Sequence, residues 1–186
     1  PEELGIDFLS ASAHKFHGPK GVGFLYASSA DFDSYLHGGD QEQKKRAGTE
    51  NLAAIVGMVS ALKEDLNDQV EHYQKLSALK SVFLKEISDL DYYLNESQDQ
   101  LPYVFNIGFP GQKNDLLLLR LDLEGISIST GSACTAGIVQ TSHVLEAFYG
   151  PDSHRLKESV RISLSPLNTE DELIQLAQTL KNIIGD

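Results

Sequence analysis

The sequence predicts an α/β fold, or a closely mixed α+β arrangement. Two observations carry this. Strand-length apolar runs and segments with a helical period alternate along the chain, and each is ended by Gly, Pro or a capping residue. Hydrophobic residues make up 41% of the 186, enough for a real core.

The elements follow in order. Ile6 to Leu9 reads as a short buried strand, followed by small polar residues that bring the backbone into a tight loop. "GVGFLYAS", bounded by Gly21 and Gly23, is a second strand. From Ala30 to Thr49 the pattern dissolves into a long, polar, glycine-rich loop, a kind more often functional than accidental. Helical spacing returns through Leu52, Ile55, Val56, Val59, Leu62 and Leu66, and a second run continues from Val70 to Leu90. "LPYVFNIGFP" alternates as a strand ending at Pro110–Gly111. Asn114 is placed to cap the helix "DLLLLRLDLE", which Gly125 stops. "ISIS" reads as a strand, "TGSACTAG" as a loop, "SHVLEAFYG" as a short helix and "VRISLS" as a strand. Thr169 with Glu172 three residues on forms a capping box ahead of the last helix.

Charge and cysteine content narrow the function classes. Lys and Arg total 15 against 27 Asp and Glu, a formal net charge of −12, which repels phosphate backbones and argues against nucleic acid as a partner. One cysteine makes no internal disulfide and favours a cytoplasmic setting. No stretch is long and apolar enough to cross a bilayer. The first residue is Pro1 and the single Met is Met58, so the chain reads as a piece of something longer.

Three residues stand out for chemistry. Lys15 follows an apolar strand and small residues, where an amine can be partly desolvated and so become a Schiff-base nucleophile; the plainer reading is an exposed lysine in a turn. Ser12 and His14 beside it supply donors of the kind that hold a phosphate. Cys134 lies in "STGSACTAG", a tether without apolar period, where a thiol is reachable; the alternative is a small buried hydrophobe. Arg161 alternates with Val160 and Ile162 and so faces away from them. It is either a surface strand arginine or a bidentate clamp on a carboxylate. The histidines and the lone cysteine show no metal-ligand spacing, and "GPKGVG" lacks both the Walker spacing and a following helix.

Taken together, "SAHKFHGPKGVGFLY", "HGGDQEQKKRAGTENLAAIVGM", "STGSACTAG" and "VRISLS" resemble, in order and spacing, the NifS/IscS-like cysteine desulfurases. These are pyridoxal 5'-phosphate (PLP) enzymes of the class V aminotransferase group, and the cysteine loop selects desulfurase within it. The resemblance implies the C-terminal portion of the PLP-dependent transferase fold. Residues 1–68 would be the end of the large PLP domain, and residues 69–186 the small α/β domain with the cysteine loop. It makes Lys15 the lysine that binds PLP covalently and Ser12 and His14 the grip on its phosphate. Thr49 would reach the phosphate held by the other subunit of a homodimer. Cys134 would carry a persulfide, with a transient iron–sulfur ligand role open to it, and Arg161 would bind the carboxylate of L-cysteine.

The implied reaction converts L-cysteine to L-alanine and passes sulfur to an acceptor protein for iron–sulfur cluster assembly or tRNA thiolation. Two positions depart from the family pattern: Asp40 stands where a third glycine is usual, and Ala47 where serine is usual. The family's aspartate partner for the pyridine nitrogen and its ring-stacking histidine have no counterpart after Pro1. Alternatives are another class V activity (selenocysteine lyase or aminotransferase) and a non-catalytic dimerisation or docking module. The apolar faces of residues 4–26 are expected to lack sheet neighbours, and so to pair with another chain or be poorly ordered.

Overall fold

A computed structural model describes residues 2–29, 31–97, 99–131 and 141–185. The chain divides into two compact units, Pro1–Gln69 and Val70–Asp186.

The first unit is built on an antiparallel pair, β1 (Phe8–Ser12) and β2 (Gly23–Ala27), in a register that sets Phe8 across from Ala27 and Ser12 across from Gly23. The strand starts later than the apolar run suggests, and Ser10, Ala11 and Ser12 belong to it. Each of the three is paired with a residue of β2, and pairing overrides their weak intrinsic preference. β1 is not a buried strand either: Phe8 is 55% exposed, and Leu25 across the pair is 54% exposed. A side chain at Gly23 would place its Cβ 2.4 Å from the Ala11 carbonyl oxygen, so this register requires glycine there.

After β2 comes the long loop, closed by a bridge between Leu36 and Arg46 and by the Ala47 amide donating to the Leu36 carbonyl at 3.2 Å. Within it a 3-10 turn over Gln41–Lys44 takes Glu42, Gln43 and Lys44 through the left-handed region, at φ 49°, 56° and 65°. The two periodic runs are one helix, α1 (Leu52–Glu86), 35 residues long. In the first unit its Met58 is buried, while Leu52, Val56 and Leu66 are exposed.

The second unit carries a three-stranded antiparallel sheet ordered β3 (Tyr93–Leu94), β4 (Val104–Gly108), β5 (Ser159–Ser163). One face is apolar: Phe105, Ile107, Val160 and Ile162 are all at most 3% exposed. Phe83 and Ile87 from the end of α1, Leu117 and Leu121 from α2 (Asn114–Leu123), and Leu173 and Leu180 from α5 (Glu170–Gly185) complete this core. Two short helices, α3 (His143–Tyr149) and α4 (Arg155–Glu158), precede β5.

Local chemistry explains most of the boundaries. Ser142 Oγ accepts from the Leu145 amide at 3.3 Å and caps α3. Gly125, at φ 76°, ends α2. Asn114 does not cap α2: its Nδ2 donates to the carbonyls of Leu156 (3.2 Å) and Ser159 (3.0 Å), tying α2 to the α4–β5 junction. "ISIS" forms no strand. Only Ser129 pairs, in a single bridge to Arg161, while Ile126 and Ile128 pack on the core. No helix among the described residues is long and apolar enough to cross a membrane.

Candidate functional site

Lys15 closes a 3-10 turn, Ala13–Lys15, at the end of β1. The turn is gathered on one carbonyl: the amides of Phe16 and Gly18 donate to the Ala13 oxygen at 3.0 and 2.9 Å. The Ala13 amide in turn donates to the Val22 carbonyl at 3.0 Å, which closes the loop back to β2. Ala13 is fully buried, and a Cβ at Gly18 would sit 2.9 Å from its methyl group. His17, at φ 65°, takes the left-handed conformation that this tight return requires. The local sequence therefore folds as a clamp that presents His14 and Lys15 directly after Ser12, the last residue of β1.

What it projects is exposed. Ser12, His14 and Lys15 are all exposed, and among the described residues none of their side chains is hydrogen-bonded. The desolvated amine expected at Lys15 is thus not found in this unit. The donor set nevertheless suits a phosphorylated aldehyde: one primary amine for the carbonyl, with a hydroxyl and an imidazole three and one residues earlier as hydrogen-bonding groups for the phosphate. These are the residues that could hold PLP. Thr49, exposed at the end of the long loop, lies in the same unit. A cleft of about 870 Å³ between β2, the long loop and the start of α1 is lined by Phe24, Phe32, Lys45, Arg46, Glu50 and Asn51 among others. None of Ser12, His14, Lys15 or Thr49 lines it.

Arg161 lies in the second unit, on the face of β5 opposite Val160 and Ile162, as its alternation requires. It is half-buried. Its Nε donates to Ser129 Oγ at 3.1 Å, and among the described residues no carboxylate pairs with it. Its cross-strand neighbour on β4 is Asn106, whose Oδ1 accepts from Asn95 Nδ2 at 2.7 Å. The planar fork of Arg161 has the geometry that fits a carboxylate, and none of the described residues supplies one. Cys134 lies outside the described residues.

One polar constellation was not anticipated from sequence. The Arg155 guanidinium lies between the rings of Tyr93 (4.1 Å) and Tyr149 (4.5 Å), and its Nη1 donates to Asn95 Oδ1 at 2.6 Å. The Tyr93 hydroxyl donates to Glu158 Oε2 at 3.2 Å. Burial pushes the Tyr93 phenol above its ordinary value, with Glu158 adding to the effect. Nothing in the spacing of these residues brings them together; the sheet does. Gly57, inside the helical period of α1, is a position where a Cβ would lie 2.8 Å from Pro19 Cγ. Among the described residues no group of three or more His, Cys, Asp or Glu could hold a metal ion.

Comparison with known proteins agrees with this architecture. Residues 1–176 match the family described as aminotransferase class-V. A Bacillus subtilis protein named putative cysteine desulfurase IscS 1 is 42% identical over 183 residues, covering 96% of this chain and 48% of that protein. The cysteine desulfurase IscS of Dictyoglomus turgidum is 40% identical over 187 residues, covering 98% of this chain and 47% of its own. Among solved structures, a NifS-like protein superposes with a TM-score of 0.87 at 32% identity, over 99% of this chain and 48% of that one. The NifS-like protein from Rickettsia africae gives 0.84 at 28% identity, over 100% of this chain and 49% of its own. The chain spans about half the length of the curated relatives it matches. Its α/β fold is that of NifS-like PLP-dependent transferases over about half of their length, and the chain belongs to the class-V aminotransferase family.

Proposed function

We propose that this chain supplies the cofactor lysine, the substrate-carboxylate arginine and the sulfur-carrying cysteine of a cysteine desulfurase acting on L-cysteine. The observation that carries the reading is the Ala13–Gly18 clamp. It holds Lys15, with Ser12 and His14 exposed beside it, in a chain whose relatives are named cysteine desulfurases. Residues 1–68 would belong to the cofactor domain and residues 69–186 to the small domain, a reading supported by the division into compact units after Gln69.

Each residue has a physical task. Lys15 would bond the PLP carbonyl, Ser12 and His14 would hold its phosphate, and Thr49 would reach the phosphate bound by a second subunit of a homodimer. PLP, where bound, supplies the electron sink for the Cα carbanion. The Arg161 fork would bind the carboxylate of L-cysteine and fix its orientation. The Lys15 amine, once free, would take the proton from Cα. The Cys134 thiolate would attack the substrate sulfur: the Cβ–S bond breaks, an S–S bond forms, and Cβ takes a proton. The products are L-alanine and a Cys134 persulfide, the sulfur of which an acceptor protein would take for cluster assembly or tRNA thiolation in the cytoplasm.

A second reading has an observation of its own. Ser12, His14, Lys15 and Thr49 are all exposed and stand apart from the cleft between β2, the long loop and α1, which favours a non-catalytic dimerisation or docking role for these 186 residues alone. Adding PLP, reducing with borohydride and mapping the labelled peptides separates the two. Label confined to Lys15, with alanine formed from L-cysteine in an unreduced sample and persulfide lost in Cys134→Ala, supports the desulfurase. Scattered label, or none, supports the docking module.

A further inference from the structure

We propose that Gly57 and Pro19 are positioning residues for Lys15: the bare Cα of Gly57 seats the Pro19 ring on α1, and that seat holds the lysine turn in place. The importance attached to Lys15 rests on the function proposed above; the contact itself does not.

Gly57 stands inside α1, where glycine is disfavoured because it gives up more backbone freedom than any other residue. The position must therefore have a reason, and the geometry supplies one. A Cβ at Gly57 would lie 2.8 Å from Cγ and 3.3 Å from Cδ of Pro19, closer than packed carbons stand. The partner is a ring closed on the backbone, so beyond a change of pucker it yields only by moving the chain. Any side chain at residue 57 has to push the chain at Pro19.

That push reaches Lys15 through few links. Pro19 follows Gly18, whose amide is held by the Ala13 carbonyl at 2.9 Å and where a Cβ would fall 2.9 Å from the Ala13 methyl group. The same carbonyl accepts from Phe16, the residue after Lys15, at 3.0 Å. The first unit has little core to resist displacement: among its described residues, Ala13 and Met58 are the buried hydrophobics, and Met58 is the residue next to Gly57. With no side-chain hydrogen bond at Lys15 among the described residues, the backbone turn alone sets where its amine begins.

The test is a double-mutant cycle with Gly57→Ala, Pro19→Ala and the pair, read by hydrogen exchange at the Phe16 and Gly18 amides. Borohydride-trapped PLP label on Lys15, relative to exposed Lys157, is the second readout. Gly57→Ala is expected to speed exchange at both amides by about tenfold, the effect of a contact worth roughly 1.4 kcal/mol, and to lower the Lys15 share of label. Pro19→Ala removes both ring atoms that the new methyl group would meet, so the paired variant returns exchange and label to the Pro19→Ala level. Wild-type exchange in Gly57→Ala, or a paired variant as disturbed as Gly57→Ala, overturns the proposal. Should Gly57→Ala fail to fold, the paired variant decides: folding with the Pro19→Ala exchange pattern supports the seat, and failure overturns it. Absence of label on Lys15 in the unmodified chain would count against the cofactor reading, while the exchange cycle would still decide the contact.

Discussion

Ser129 and Arg161 are joined three times. Their backbones exchange both hydrogen bonds, at 3.1 and 2.6 Å, and Arg161 Nε donates to Ser129 Oγ at 3.1 Å. The side-chain bond fixes the plane of a half-buried guanidinium at one nitrogen and leaves its fork without an acidic partner among the described residues. Ser129→Ala keeps the backbone pair and removes the orienting acceptor. It should cost about 1 kcal/mol in urea unfolding, the net worth of one such hydrogen bond. Under the proposed function, the loosened guanidinium raises KM for L-cysteine more than it lowers kcat. An unchanged KM would separate Arg161 orientation from substrate binding.

The capping box ahead of α5 makes a prediction about pH. The Thr169 amide donates to Glu172 Oε2 at 3.0 Å, and the Glu172 amide donates to Thr169 Oγ1 at 3.3 Å. The Asn168 side chain, then the Thr169 amide, hold the Glu172 carboxyl below its ordinary value. A lowered carboxyl stabilises the fold above its unfolded value, and that stabilisation is lost as pH falls through the folded value. Thr169→Ala should cost about 1 kcal/mol at neutral pH. Glu172→Gln should flatten the acid side of the stability profile between pH 3 and 5, a range spanning roughly one unit either side of a glutamate's usual titration. An acid limb unchanged by Glu172→Gln would mean that other carboxylates set it.

Gly108 and Tyr93 offer a test of the arginine sandwich. They face each other across β4 and β3, and a Cβ at Gly108 would fall 2.2 Å from Cζ of the Tyr93 ring. Gly108→Ala therefore forces the ring off the sheet and away from Arg155, at about 2 kcal/mol for an overpacked site. Burial raises the Tyr93 phenol, so its contribution to stability is present at neutral pH and is lost as pH rises through its folded value. The expected signature is one tyrosine of the wild type ionising later than the rest in tyrosinate absorbance. In Gly108→Ala that late phase moves towards the others. A late phase left intact would show that the ring has kept its burial.

The α/β class was legible because period and punctuation are local properties. The Thr169–Glu172 box and the alternation at Arg161 needed only spacing to be read, and both are present. The failures share a cause, which is that partners distant in sequence decide them. Asn114 looked like a cap, but Leu156 and Ser159 offered carbonyls that only the folded chain brings near. "ISIS" has the composition of a strand, yet a single residue of it reaches β5. Leu52, Val56 and Leu66 mark a helix by their period, but period says nothing of what covers the stripe, and here they stay exposed. At the candidate site the lysine motif was legible as a motif. Its clamp on the Ala13 carbonyl was not, because hydrogen bonding within a turn follows from φ and ψ rather than from side chains.

His17 gives the clearest conflict between stability and position. It sits two residues after Lys15 at φ 65°, a conformation that costs a residue with a Cβ roughly 1–2 kcal/mol. Its ring is exposed, and among the described residues it makes no hydrogen bond to repay that strain. His17→Gly removes the strain but adds freedom to the unfolded chain worth about 0.5–1 kcal/mol. The difference leaves a gain of about 0.5 kcal/mol, measurable as a rise in the urea midpoint. The same freedom loosens the link between Phe16 and Gly18, the two amides that bind the Ala13 carbonyl around Lys15. Labelling of Lys15 by PLP should therefore fall even as the chain becomes more stable. A variant that loses stability would instead show that the imidazole makes a contact worth more than its strain. A stable variant with unchanged labelling would show that Pro19 and Gly57 are sufficient to hold the turn.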